Sequence, residues 1–129
     1  DVKVLIENVG LRTKNNVLFD LPEYVALFDI FPQAGALLDT GHAHVNGWDI
    51  PAVVKALGER LAACHVHDND GNGDAHLPVG QGDIDWKAYF GAVKKYAPQA
   101  TQVFEYCCGF NNTKDLEAHI AELKEDYKL

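Results

Sequence analysis

The stretch LAACHVHDNDGNGDAHLPVGQGDIDWKAYFGAVKKYA, residues 61–97, decides the fold. Residues 61–69 form a short apolar run that closes on His and Asp, the length of a buried strand. Residues 85–97 place Trp86, Tyr89, Phe90 and Val93 at i, i+3, i+4 and i+7 before Pro98 stops the pattern, which is one apolar face of a helix. The link between them, within Cys64–Trp86, carries three of the six histidines and five aspartates around four glycines. The unit reads as strand, polar loop, helix.

Three further units of the same kind surround it. VKVLIEN (2–8), GALLDTG (35–41) and TQVFEYC (101–107) have strand character, and LPEYVALFDIF (21–31), PAVVKALGERL (51–61) and TKDLEAHIAELKEDYKL (113–129) have helical character. Pro22 and Pro51 lie at first turns, and Leu116, Ile120 and Leu123 share one face of a last helix that Thr113 would cap. The order β-α-β-α-β-α-β-α implies right-handed βαβ units on a parallel sheet, an α/β fold with its chemistry at the carboxyl ends of the strands.

The chain has 129 residues, 47% of them apolar, enough for one compact domain with a core. No apolar run approaches the roughly 20 residues that cross a bilayer, and Asp1 begins directly on a strand-like segment without a leader pattern. Cys64, Cys107 and Cys108 are odd in number and two are adjacent, which fits a reducing, cytoplasmic setting and small core or site-wall roles better than a disulfide framework. A formal charge of −8 makes nucleic acid an unfavoured partner.

The reactive residues fall where the fold expects them. Glu7, Asp39, His67 and Glu105 end the four strands, and neighbouring parallel strands bring such ends to a common rim. Capping of a following helix or loop is the simpler account of any one of these acids. Four ligand-type side chains at one equivalent position favour a divalent metal ion, and the mixed oxygen and nitrogen set suits Mn²⁺ or Zn²⁺ first, with Mg²⁺, Co²⁺ or Fe²⁺ behind.

IEN at Glu7, DTGH at 39–42, HVHD at 65–68, DAHLPVGQGDIDW from Asp74 and FEY at Glu105 together resemble the sugar phosphate isomerase/epimerase superfamily, the xylose isomerase-like TIM barrels that include endonuclease IV. The resemblance spans nearly the whole chain. It implies half of a (β/α)₈ barrel, four βα units corresponding to strands five to eight, with Glu7, Asp39, His67 and Glu105 as metal ligands. It also implies that His42, Asp74 and His76 hold a second metal or the substrate. Asn8, His44 and His65 are lesser substrate-binding candidates. His65 lies two residues from His67 on the same strand face, where a buried neutral histidine is the plainer reading; His119 reads as surface.

For a sugar substrate the resemblance assigns proton transfer to Glu7 and Glu105 through a metal-stabilised enediolate, giving isomerisation or epimerisation of a ketose, a sugar phosphate or an inositol-type ketone. Metal-dependent phosphodiester cleavage at abasic DNA is the alternative; it accounts for His42, Asp74 and His76 but not for the absence of Lys and Arg from residues 61–86. A metal-binding barrel without catalysis is a third. With little base near the site, only the Gly80–Gly82 segment ahead of the helix at Asp85 offers a phosphate grip. A complete barrel takes about 250 residues, so the chain is expected to be a fragment whose missing amino-terminal half-barrel, or a second copy, closes the structure.

Overall fold

The computed structural model describes residues 2–129; the expectation about Asp1 lies outside them. The described residues form a four-stranded sheet in the order β1 (Leu5–Glu7), β2 (Gly35–Asp39), β3 (Leu61–Val66), β4 (Thr101–Phe104), every pair parallel. Helices α1 (Leu21–Ile30), α3 (Ile50–Leu57), α4 (Trp86–Tyr96) and α5 (Thr113–Tyr127) connect or follow the strands, and a short α2 (Thr40–Val45) follows β2 directly. Each strand is shorter than its sequence run, because only the paired residues are ladder-bonded. His67 and Glu105 therefore stand just past β3 and β4, not within them. This is half of a TIM barrel.

One sheet face is covered and the other is open. Ile6, Ala36, Leu38, Cys64 and Val66 pack with Tyr24, Phe28, Val53, Val54, Tyr89 and Phe90 into one core cluster. All four residues of the expected α4 stripe, Trp86, Tyr89, Phe90 and Val93, are buried in it. Burying an aromatic side chain of this kind contributes about 1.5–3 kcal/mol, so α4 is held chiefly by that stripe. On the other face, the register aligns Glu7 with Leu37, Asp39 with His65, and His65 with Val103; Val103 is largely exposed.

Local signals fix the helix starts. Asp20 and Glu23 make a reciprocal capping box on α1, Asp49 caps α3 through Ala52 N, and Asp85 caps α4 through Ala88 N. The α5 cap is Asn112, one residue before the expected Thr113; its side chain accepts from both Lys114 N and Asp115 N. Cys64 is core, whereas Cys107 and Cys108 are exposed. His119 is not a free surface residue: its ring packs against Tyr106 and Phe110 and its Nε2 lies 3.2 Å from Tyr106 Oη.

Candidate metal centre

Asp39 is the pivot of the site. It ends β2, is 1% exposed, and caps α2 with Oδ1, which accepts from His42 N at 2.7 Å. Asn8 clasps its backbone from β1's end, accepting from Asp39 N at 2.7 Å and donating to Asp39 O at 3.0 Å. The buried Asn8 amide is thus committed to aligning two strand ends. Asp39 Oδ2 faces His67 Nε2 at 3.1 Å. Burial pushes the Asp39 carboxyl up, but the His67 bond and the imidazoles of His67 and His42 outweigh it and hold it below the usual carboxylate range.

Two imidazoles bracket the carboxylates. His65, on the open face of β3, has Nδ1 3.5 Å from Glu105 Oε2 and 3.8 Å from Asp39 Oδ2, and groups within ligand reach of Glu7 and Asp39. His67 is wholly buried and groups with Asp39 and Glu105. In this half-barrel His65 is the partly exposed ring, on the sheet face that a complete barrel would enclose, and His67 is the buried one, under the following loop. His67 also rests on Gly41, where a Cβ would come within 2.1 Å of its ring. Burial and the Asp39 charge push the Glu7 carboxyl up, against the lowering effect of His42 and His65.

Asp74 forms a second focus. His42 Nδ1 is 3.2 Å from Asn8 O, and His76 Nδ1 is 3.1 Å from Glu105 O. A carbonyl only accepts, so each Nδ1 carries a proton, and in the neutral ring each Nε2 presents a lone pair. Those two Nε2 atoms lie 3.3 and 3.1 Å from the same oxygen, Asp74 Oδ2. Beside them His67 Nδ1 and Asp74 Oδ1, 3.7 Å apart, are both buried without a hydrogen-bond partner. Imidazole nitrogens and carboxylate oxygens converging in this way call for added positive charge, from ring protons or from a cation, and a cation with O and N preferences can be held by the atoms named. The donor set therefore fits a divalent metal. The rings of His67 and His76 stack with centroids 3.9 Å apart, which ties the two foci together.

Other candidates stand elsewhere. His44 is on α2 and lines a hollow with Trp48, Asp49 and Asp83. The Gly80–Gly82 segment has no spare amide for a phosphate at Gly80, whose N–H donates to Asp68 at 2.9 Å. Asp68 itself was not singled out by the sequence; nothing in HVHD distinguishes an acid that binds its own loop from one that faces a site.

Four parallel strand ends presenting three carboxylates and two imidazoles on half of a TIM barrel define a class. The chain belongs to the xylose isomerase-like TIM barrel family, whose pattern matches residues 1–125. Among similar solved structures, a D-tagatose 3-epimerase-like protein superposes with a TM-score of 0.74 at 26% identity, covering 98% of this chain and 46% of that one. A D-allulose 3-epimerase from Methylomonas sp. gives 0.76 at 19% identity, covering 98% and 49%, which shows the shared fold. Two curated relatives are uncharacterised proteins, of Sinorhizobium fredii (32% identical over 95 residues) and Methanocaldococcus jannaschii (36% over 97). The matches take in 72% and 73% of this chain but 30% and 36% of those proteins. The chain thus spans about a third of its curated relatives and under half of its solved neighbours. Among the described residues no helix is long and apolar enough to cross a membrane.

Proposed function

We propose that this chain carries the metal-binding half of a sugar isomerase or epimerase that moves a proton at the carbon beside a carbonyl. The observation that carries the reading is the placement of Glu7 and Glu105. They follow the same open face, one at the end of β1 and one just past β4, on opposite sides of Asp39, His65 and His67. Glu7, Asp39 and Glu105, with His67 on the buried side and His65 on the open side, would hold one divalent ion, Mn²⁺ or Zn²⁺ by donor type. His42, Asp74 and His76 would hold a second ion or the substrate's oxygens. A bound ion would polarise the carbonyl and acidify the neighbouring C–H.

The residues then divide the work. Glu7, at the end of β1 and partly exposed on the open face, is placed to take a proton through the carboxylate oxygen that does not hold the ion. Glu105, from the opposite edge, would deliver a proton of its own to one carbon or the other according to the pose of the sugar, and exchange with solvent would return both carboxyl groups to their starting states. Asn8 and the α2 cap keep Asp39 fixed while this happens.

The full-length protein should be incubated with a panel of ketoses and inositol-type ketones in heavy water. Exchange of the proton beside the carbonyl, lost in Glu7→Gln and Glu105→Gln, is the expected result. The His42–Asp74–His76 set favours one second reading, metal-assisted phosphodiester cleavage. Cleavage of abasic DNA without proton exchange on any sugar would make that reading the right one.

A further inference from the structure

We propose that Asp68 is the positioning residue that presents Asp74 and His76 to the centre; the inference rests on the second-ion reading above. Asp68 is 0% exposed and takes no part in any ligand group. Its Oδ1 accepts from Asn69 N at 2.9 Å and Ile84 N at 3.3 Å, and its Oδ2 accepts from Gly80 N at 2.9 Å and the Trp86 indole Nε1 at 2.7 Å. Its backbone exchanges two bonds with Leu77, Asp68 N to Leu77 O at 2.8 Å and Leu77 N to Asp68 O at 3.0 Å. One residue thus pins the loop at 77, 80, 84 and 86, the whole of its return limb.

The outgoing limb of the loop, 69–76, carries both ligand candidates. His76 has φ +47°, a conformation that an ordinary L-residue keeps only where the surroundings enforce it. The enforcement is visible. Leu77, next in the chain, is bonded to Asp68 on both sides, and the His76 carbonyl accepts from Cys107 N at 3.1 Å. Gly82 lets the loop close over this clamp, since a Cβ there would lie 2.4 Å from both Asn69 O and Asp68 Oδ1. Relaxing the return limb releases Leu77, and with it the ring of His76 from Asp74 and His67.

The test uses Asp68→Asn in the full-length protein, which keeps volume and one oxygen but sets amide hydrogens against the N–H donors. In metal-free protein, hydrogen exchange at the Leu77 and Cys107 amides should rise about tenfold while Cys64 and Val66 in β3 hold the parent rate. Co²⁺ titration followed by its visible spectrum should show the second binding step weakened about tenfold, with the first unchanged. Trp86→Phe in the same background removes one opposing donor and should recover part of both effects. Parent-like exchange at Leu77 and Cys107, or an equal rise throughout β3, overturns the proposal. A parent that takes up a single Co²⁺ refutes the second-ion reading instead, and the exchange data still decide the role of Asp68.

Discussion

Replacing Asp39 by Ala or by Asn should separate what its carboxylate does for the fold from what it does for the ion. In Asp39→Ala, α2 loses its cap at His42 N, a loss of about 1 kcal/mol. The buried His67 Nε2 also loses the oxygen 3.1 Å away, and an unpartnered buried group costs about 1–3 kcal/mol. Together the alanine variant should be about 2–4 kcal/mol less stable in the presence of chelator. Asparagine keeps the oxygen that caps α2, and Asn is as good an N-cap as Asp. Its neutral amide also relieves the repulsion that raises Glu7. Asp39→Asn should therefore stay within about 1 kcal/mol of the parent.

Urea unfolding with unchanged m-values measures both. With metal added at about a hundred times its Kd, the parent should gain about 2.7 kcal/mol and neither variant should gain as much. Equal losses in the two variants, or a loss under about 1 kcal/mol for alanine, would refute the reasoning about the cap and His67.

The other outcomes are as concrete. His67 has its pKa raised above 6.5: burial pushes it down, but Asp39, Asp74 and Glu105 outweigh that. The stability it contributes is full below pH 6.5 and lost as pH rises through the higher folded value, so chelated protein should weaken on going alkaline, and His67→Gln should flatten that slope. Metal binding should run the other way, tightening with pH, because ligand imidazoles must be neutral. Gly41→Ala should push the His67 ring aside, costing about 1–3 kcal/mol and most of the metal content measured by elemental analysis. His76→Val, β-branched at φ +47°, should cost more than His76→Asn by about 1 kcal/mol in thermal unfolding.

The strand ends could be read from the sequence because a parallel βα repeat gives each unit one place for reactive groups, and Glu7, Asp39, His67 and Glu105 recur there. The α4 stripe was legible for a related reason: apolar residues at i, i+3, i+4, i+7 between polar ones fall on a single face only at the helical period. The roles of His65 and His67 were not, because their difference in exposure comes from the 69–85 loop folding over one of them. Helix α2 was hidden inside DTGHAHV, where residues 40–45 are too few for a hydrophobic period and the start depends on the Asp39 cap. Asp68 was invisible for the opposite reason to His67. Its partners are backbone amides and an indole spread from 69 to 86, and amides leave no mark in a sequence.

The sheet order also assigns different tolerances to the two halves of the site. Asp39 and His67 come from the inner strands and are sealed, at 2% and 0% side-chain exposure, by Asn8, Gly41 and Thr40, whose hydroxyl accepts from His67 N and shares its one hydrogen between His65 O and His67 O. Glu7 and Glu105 come from the two edge strands and are 27% and 47% exposed. Inner-strand ligands are thereby fixed by contacts within this chain, whereas Glu7 and Glu105 stand where the rest of a (β/α)₈ barrel would adjoin them. The packing around Asp39 and His67 is thus complete within β1–β4, whereas the walls around Glu7 and Glu105 depend on the strands that would close the barrel.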